Sequence, residues 1–314
     1  MAESSICPFC AASGRIPWRP GGPEVLVCPS CGGGSLHPRP APEDQASLYQ
    51  EDYYSEETGG RFLGLAERLV VALKESRVRA IVRRTAGPGA LLDVGCGRGD
   101  MLERFRLRGW EVTGTQISRT AAEAARRRGL RVLLGDLADL DLEGPFQVIT
   151  LFHVLEHLPD PGDALARVRG LLAGDGLLVV EVPNFRTLGF RLLGRRDLCF
   201  DHPHHLHFLT PKALGALLAR NGFTVASRSF LSLEYSPFTT LQNVLNLLPG
   251  SPNRLYRSLM GNREGRSLRR SPWTWIHVLL GGLLALPACL AALPGLLFPV
   301  GNTMRFYART RISR

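Results

Sequence analysis

Between Ala90 and Gly99 an apolar run reaches an acid at Asp93, passes Val94, and enters Gly95-Cys96-Gly97-Arg98-Gly99. A short run this apolar suits a buried strand, and the alternating glycines cannot prolong it. They free the backbone to turn tightly, to approach a ligand, and to aim the next helix N-terminus at it. A strand of this kind needs neighbours on both edges and cover on both faces, the setting of a parallel sheet. The rest of the middle of the chain repeats the alternation. Strands are predicted over 90–94, 111–116, 131–134, 146–151, 177–182 and 223–229, with helices ending near Arg108 and over 118–128, 161–172 and 211–221. The expected fold is α/β with a Rossmann-like sheet.

The segment Leu92-Asp93-Val94-Gly95-Cys96-Gly97-Arg98-Gly99, with its acid at the strand end, differs from the G-x-G-x-x-G that opens a helix in dinucleotide enzymes. It resembles the first motif of class I S-adenosylmethionine (SAM) dependent methyltransferases, and the later spacing agrees, with Gln116 ending the second strand and Gly135-Asp136 the third. The resemblance implies that Gly95 and Gly97 pack under the amino-acid moiety of SAM, that Asp93 orients its ammonium group, and that Asp136 accepts from the adenine amine. Cys96 in the turn and Leu137 after Asp136 complete the expected contacts. Gln116 departs from the family, which usually holds both ribose hydroxyls with an acid. An amide accepts from one hydroxyl and donates to the other. Gln147 likewise stands where the family often has an acid.

Six of the eight histidines fall in two segments, His153 to His157 after the fourth strand and His202 to His207 before the last helix. Ligands of open α/β sheets bind outside the carboxyl ends of strands, so the first segment is expected to face the methyl donor. A neutral imidazole there suits a catalytic base. His153, His204 and His205 are the candidates. The Val154-Leu155-Glu156-His157 run resembles that of ubiquinone-pathway O-methyltransferases, in which related positions hold a divalent ion; a divalent ion near Glu156 and His157 is therefore a candidate cofactor, with helix capping as the alternative. The second segment reads as a loop lining the acceptor pocket, or as packed structural histidine.

Cys7-x-x-Cys10 and Cys28-x-x-Cys31 are separated by 17 residues, the spacing of two knuckles around one structural zinc. The ribbon, with His37-Pro38-Arg39-Pro40 and Tyr53-Tyr54, resembles bacterial methyltransferases of cell-surface sugar and antibiotic pathways. It either covers the acceptor or serves as a docking module. Residues 1–40 form the ribbon, 41–86 a linker and helix, 87–230 the SAM-binding core, 231–300 an apolar and basic insertion, and 301–314 the last core strand and tail. No basic, apolar, small-residue leader opens the chain, and the cysteines suit a reducing cytosolic setting.

The net charge of +10 lies almost wholly at the C-terminal end, where residues 254–314 hold ten arginines and one acid, Glu264. These arginines flank an apolar segment, Trp273 to Val300, rather than aromatic stacking residues, which argues against nucleic acid and for an anionic membrane surface contacted through 254–300. Met304 to Arg311 resembles the last strand of the fold, inserted antiparallel beside 223–229, so the chain must return to the side it left. The apolar segment is therefore expected as a proline-kinked hairpin dipping into one leaflet, with Arg254, Arg257, Arg263, Arg266, Arg269, Arg270, Arg305, Arg309 and Arg311 at the headgroups; a buried helical hairpin or a dimer interface is the alternative. The function expected is O- or C-methylation of a sugar or other small or lipid-linked acceptor at the inner face of the cytoplasmic membrane. An RNA methyltransferase and a non-catalytic zinc-ribbon adaptor are the alternatives.

Overall fold

The computed structural model describes residues 6–18, 25–40, 64–248 and 250–311; the linker carrying Tyr53 and Tyr54 lies outside them. Five parallel strands, β4 (Ala90–Val94), β5 (Glu111–Gln116), β6 (Arg131–Leu134), β7 (Phe146–Phe152) and β8 (Leu172–Pro183), join β10 (Phe223–Ser229) and β11 (Thr303–Thr310) in one sheet of order β10-β11-β8-β7-β4-β5-β6. Strand β11 runs antiparallel between β8 and β10, as the resemblance to the last strand of this fold implied. The order reverses between β4 and β7, and that switch point places the crevice for a ligand over the carboxyl ends of the strands around β4.

Helices α1 (Gly64–Val82), α2 (Asp100–Arg106) and α3 (Arg119–Arg127) lie with one side of the sheet, where Val78, Ile81, Leu102, Phe105, Ala122 and Ala125 share a core with Leu91, Val112, Val148 and Val179. On the other side, α4 (Pro161–Leu171) and α6 (Pro211–Arg220) cover Leu92, Ile149, Leu151, Leu178 and Val180. Both helices start with a proline after a capping side chain, Asp160 or Thr210, which receives backbone N–H groups of the first turn.

The ribbon strands β1 (Ile16–Pro17), β2 (Val25–Val27) and β3 (Gly34–Leu36) form a second sheet, completed by β9 (His207–Phe208) from the second histidine segment. Cys7, Phe9, Cys28 and Cys31 belong to the same buried cluster as α6. Thr210, the cap of α6, donates its hydroxyl to the Cys31 carbonyl at 2.6 Å, and Arg220 at the other end of α6 donates to the Pro8 carbonyl at 3.1 Å. The ribbon is thus packed into the core rather than tethered beside it.

The insertion corrects two expectations. Its apolar part is one helix, α10 (Pro272–Ala292), with Pro287 inside it, followed by a short 3-10 turn over Leu293–Leu296. No hairpin forms, because Leu241 and Leu245 of α7 (Ser236–Leu245) and Leu255 of α8 (Arg254–Leu259) pack against Leu280, Leu284 and Ala288 on both sides of the proline. That contact keeps the helix continuous through the one hydrogen bond proline removes. Nor do all the arginines face outward. Arg305 is buried against Glu181, and Arg309 ties the sheet together by donating to the carbonyls of Asp175 and Arg84.

Candidate functional site

Gly95, Gly97 and Gly99 all hold positive φ, at 68°, 55° and 78°. A side chain on Gly95 would place its Cβ 2.6 Å from a Val154 methyl, so glycine is required there by both conformation and space. The turn is fixed to β5 by Cys96 N donating to the Thr115 carbonyl at 2.9 Å. Asp93 is buried at the strand end, where Thr150 Oγ1 donates to it at 2.6 Å. Burial raises its pKa to about 6. The Cys96 side chain does not face the crevice. It packs in the core under Gly114, where an added Cβ would meet Cys96 Sγ at 2.5 Å, so only its backbone is available to a ligand. Leu137 is likewise a core side chain.

Gln116 and Asp136 stand beyond the ends of the neighbouring strands, as expected, but each already serves the backbone. Gln116 Oε1 accepts from Ile117 N at 2.8 Å and Ser118 N at 3.1 Å. These donors fix the amide orientation and leave Nε2 as the group offered to a ligand. The accepting half of the expected ribose contact is thus occupied. Asp136 Oδ1 caps its own turn by accepting from Ala138 N at 2.9 Å.

His153 ends β7 with a left-handed φ of 54°, a conformation rare outside glycine that is often found at functional sites. Its Nδ1 lies 3.2 Å from Glu156 and its Nε2 3.4 Å from Glu181. Burial alone would lower its pKa, but the hydrogen bonds and charges of the two carboxylates outweigh burial and raise it to about 9. The surroundings therefore favour the imidazolium over the neutral base expected from the sequence. Behind it, Glu181 also takes Arg77 at 2.5 Å and Arg305, while Arg77 reaches Glu234 at 2.9 Å. With His153 charged, three cations and three carboxylates balance in a buried cluster, roofed by Tyr235 with its ring 4.3 Å from that of His153.

The second histidine segment divides into different roles. His207 is structural: Ser35 Oγ lies 3.1 Å from its Nδ1 and the Leu158 carbonyl 3.1 Å from its Nε2. His202 stacks on Phe200. His204 Nδ1 lies 3.3 Å from Asp201 Oδ1. His205 comes back to the first segment, joining Glu156 and His157 in a trio whose ligand atoms lie within 4.8 Å of one another. His157 Nδ1–H donates to the His204 carbonyl and His205 Nδ1–H to the Cys199 carbonyl, each at 2.9 Å. Both rings are thereby held in the tautomer that leaves Nε2 as a lone pair, and Glu156 Oε2 is buried without a hydrogen-bond partner. Nitrogen and oxygen ligand atoms gathered this closely fit a divalent cation.

The four ribbon cysteines converge in the same way, again within 4.8 Å, with Cys7 Sγ 3.6 Å from Cys31 Sγ and Cys10 Sγ 3.7 Å from Cys28 Sγ. An all-thiolate set of this size fits zinc and leaves no open position. Sequence reasoning missed Arg77, Glu181, Glu234, Tyr235 and Arg305. Glu181, an acid inside the apolar run of β8, was the one visible signal that a buried cation must face it.

A family profile described as a methyltransferase domain matches residues 68–228, just over half of the chain. Among curated proteins, the ubiquinone biosynthesis O-methyltransferase of Alkalilimnicola ehrlichii is 33% identical over 162 residues, which cover 47% of this chain and 64% of that protein. The protein of the same description from Caulobacter sp. strain K31 is 33% identical over 168 residues, covering 48% and 64%. The match thus spans under two thirds of these relatives. Among solved structures, a SAM-dependent methyltransferase from Archaeoglobus fulgidus aligns with a TM-score of 0.48 at 20% identity, over 76% of this chain and 94% of that one.

Proposed function

Since the chain belongs to the methyltransferase-domain family, whose profile it matches over 68–228, we propose that it transfers the methyl group of SAM to a small acceptor, a sugar or a lipid-linked molecule, with oxygen as the leading target atom. The observation that carries this reading is the positive-φ glycine turn at Gly95 and Gly97 beside the buried carboxyl of Asp93, with Gln116 and Asp136 standing at the ends of the adjacent strands. Asp93 holds the ammonium of SAM, the glycine backbone lies under its amino-acid moiety, Gln116 Nε2 donates to the ribose and Asp136 accepts from adenine.

His153, held between Glu156 and Glu181, forms the floor of the acceptor site. The base is His204, whose Nδ1 faces Asp201 and whose ring is oriented by it. His205 positions Glu156 and His157. A divalent cation held by Glu156, His157 and His205 would act as a Lewis acid that lowers the pKa of an acceptor hydroxyl. One zinc on Cys7, Cys10, Cys28 and Cys31 is structural. The reading places the protein in the cytoplasm, peripheral on the inner face of the membrane.

Calorimetry with SAM and its demethylated product, followed by transfer of labelled methyl from SAM to nucleotide sugars and to extracted lipids, tests the proposal. The expected result is binding with one site per chain and label in one of the two acceptor pools. Absence of any heat with either nucleoside removes the enzyme reading.

A further inference from the structure

Helix α10 has two faces of different kinds. Thr274, His277, Gly281, Ala288 and Ala292 are buried, a stripe of mostly small residues that lets α7 and α8 approach closely; an added Cβ on Gly281 would lie 3.1 Å from Leu255. Around the rest of the helix, Trp275, Leu279, Leu283, Leu286 and Leu290 follow one another at helical spacing on the outer side, and Leu279 and Leu283 are 73% and 74% exposed. A run of exposed large apolar residues this long marks an interaction surface.

The basic residues lie at one end of it. Helix α9 (Arg263–Arg269) leads directly into α10 and is joined to it by Thr274 Oγ1 donating to the Leu268 carbonyl at 2.6 Å, while Arg254 of α8 donates to Ser271 Oγ at the start of α10 at 3.3 Å. Arg263, Arg266 and Arg270 are exposed there, next to exposed Trp273 and Trp275. Cations at a helix N-terminus oppose its dipole, so this arrangement does not serve the helix itself. It suits an anionic partner in contact with both features at once.

We infer that the outer face of α10, with Arg263, Arg266 and Arg270, is the surface on which the protein sits in one leaflet of an anionic bilayer, the helix lying in the membrane plane. The helix is long enough to cross, at 21 residues plus the turn after it. Its ends forbid it. At the far end Asn184 Nδ2 donates to the carbonyls of Pro299 and Gly301, Gly295 and Gly301 pack on the Phe230 carbonyl, and the chain then enters the centre of the sheet as β11. At the near end α8 and α9 are fixed to the same domain. A helix stapled at both ends and along one side has only its outer face to give to lipid. A second copy of the chain is the poorer occupant, since exposed Arg263, Arg266 and Arg270 would meet like charge across the contact and the nearby acid, Glu264, is already paired with Arg257.

The docking has a consequence for the acceptor, which rests on the methyl-transfer reading, while the docking itself does not. Tyr235, whose ring packs on His153, is the N-cap of α7, and α7 packs against α10. The leaflet therefore lies one helix layer, about 10 Å, from the histidine site, close enough for an acceptor head to reach that site while its tail stays in lipid.

The test is flotation of the full-length, zinc-loaded protein with vesicles of phosphatidylcholine alone or mixed with phosphatidylglycerol, for the native chain, for Leu279→Gln/Leu283→Gln/Leu286→Gln, and for Arg263→Ala/Arg266→Ala/Arg270→Ala. Native protein is expected to float with the anionic vesicles. The arginine variant should bind roughly 10- to 100-fold more weakly, with the loss reproduced for native protein by high salt. The leucine variant should lose binding at any salt, and both variants should keep the native melting temperature and SAM affinity. Failure of native protein to float, or flotation equal in all three proteins, overturns the proposal. So does a native dimer that the leucine variant dissociates without either form binding vesicles. Flotation without SAM binding would leave the docking in place and remove only the methyl-transfer reading.

Discussion

His153 and Glu181 are bound to each other twice, through the His153 N–H to the Glu181 carbonyl at 2.8 Å and again through the imidazole, whose Nε2 lies 3.4 Å from the carboxylate. The backbone link is part of how β7 leaves β8; the side-chain link turns that crossing into a charged site. Glu181 is shared with Arg77 and Arg305, so the end of the sheet carries a buried ion cluster rather than a lone catalytic imidazole.

Truncating one member of that cluster should cost more than any surface ion pair. Arg77→Met leaves Glu234 without its guanidinium and Glu181 with one fewer, an effect on the order of 3–5 kcal/mol. Chemical denaturation should show the midpoint shifted down with an unchanged slope, and a loss under about 1 kcal/mol would mean that the cluster adds little.

SAM affinity should depend on pH through Asp93. Burial raises its pKa from 3.8 to about 6, so in the free protein it is protonated below that pH, and the ammonium of SAM must displace the proton. Affinity is then level above pH 6 and falls about tenfold per unit below it. Calorimetry from pH 5 to 8 follows this, and Asp93→Asn should flatten the profile while weakening binding by about 10- to 100-fold.

Gln116→Glu is expected to strengthen SAM binding. One carboxylate oxygen keeps the bonds from Ile117 N and Ser118 N, and the other becomes an acceptor for a ribose hydroxyl, worth about 1 kcal/mol or fivefold in Kd. A weaker Kd in the variant would show that Nε2 donation is what the ribose needs.

Zinc removal should reach beyond the ribbon. Because Cys7, Phe9, Cys28 and Cys31 pack with α6 and β3 pairs with β9, a chelator that strips one zinc per chain should also loosen 201–220. Hydrogen exchange of that segment before and after chelation reads this directly, and unchanged protection there would mean that the ribbon is an independent module.

Divalent binding should require both histidine segments. Manganese titrated by calorimetry or paramagnetic relaxation is expected to bind the native protein, and His205→Ala and Glu156→Gln should each weaken it by about 10- to 100-fold. Equal binding in all three would place the ion elsewhere.

The sequence by itself determined the sheet, the glycine turn and the four-cysteine set, because each rests on local rules: a period of two or of 3.6, backbone freedom at glycine, and fixed ligand spacing. The last strand was legible as a strand from the alternation over 304–311, and its antiparallel place from the resemblance to the family. Tertiary structure decided what distance in sequence conceals. It brought His205 to Glu156 and set Arg77 and Arg305 on Glu181, beside the histidine read as a base. It also used up the side-chain carbonyl of Gln116, drew the ribbon into the core, and kept α10 continuous through Pro287. A residue's charge and free hydrogen-bonding groups depend on what is packed against them, and packing joins segments that no spacing along the chain relates.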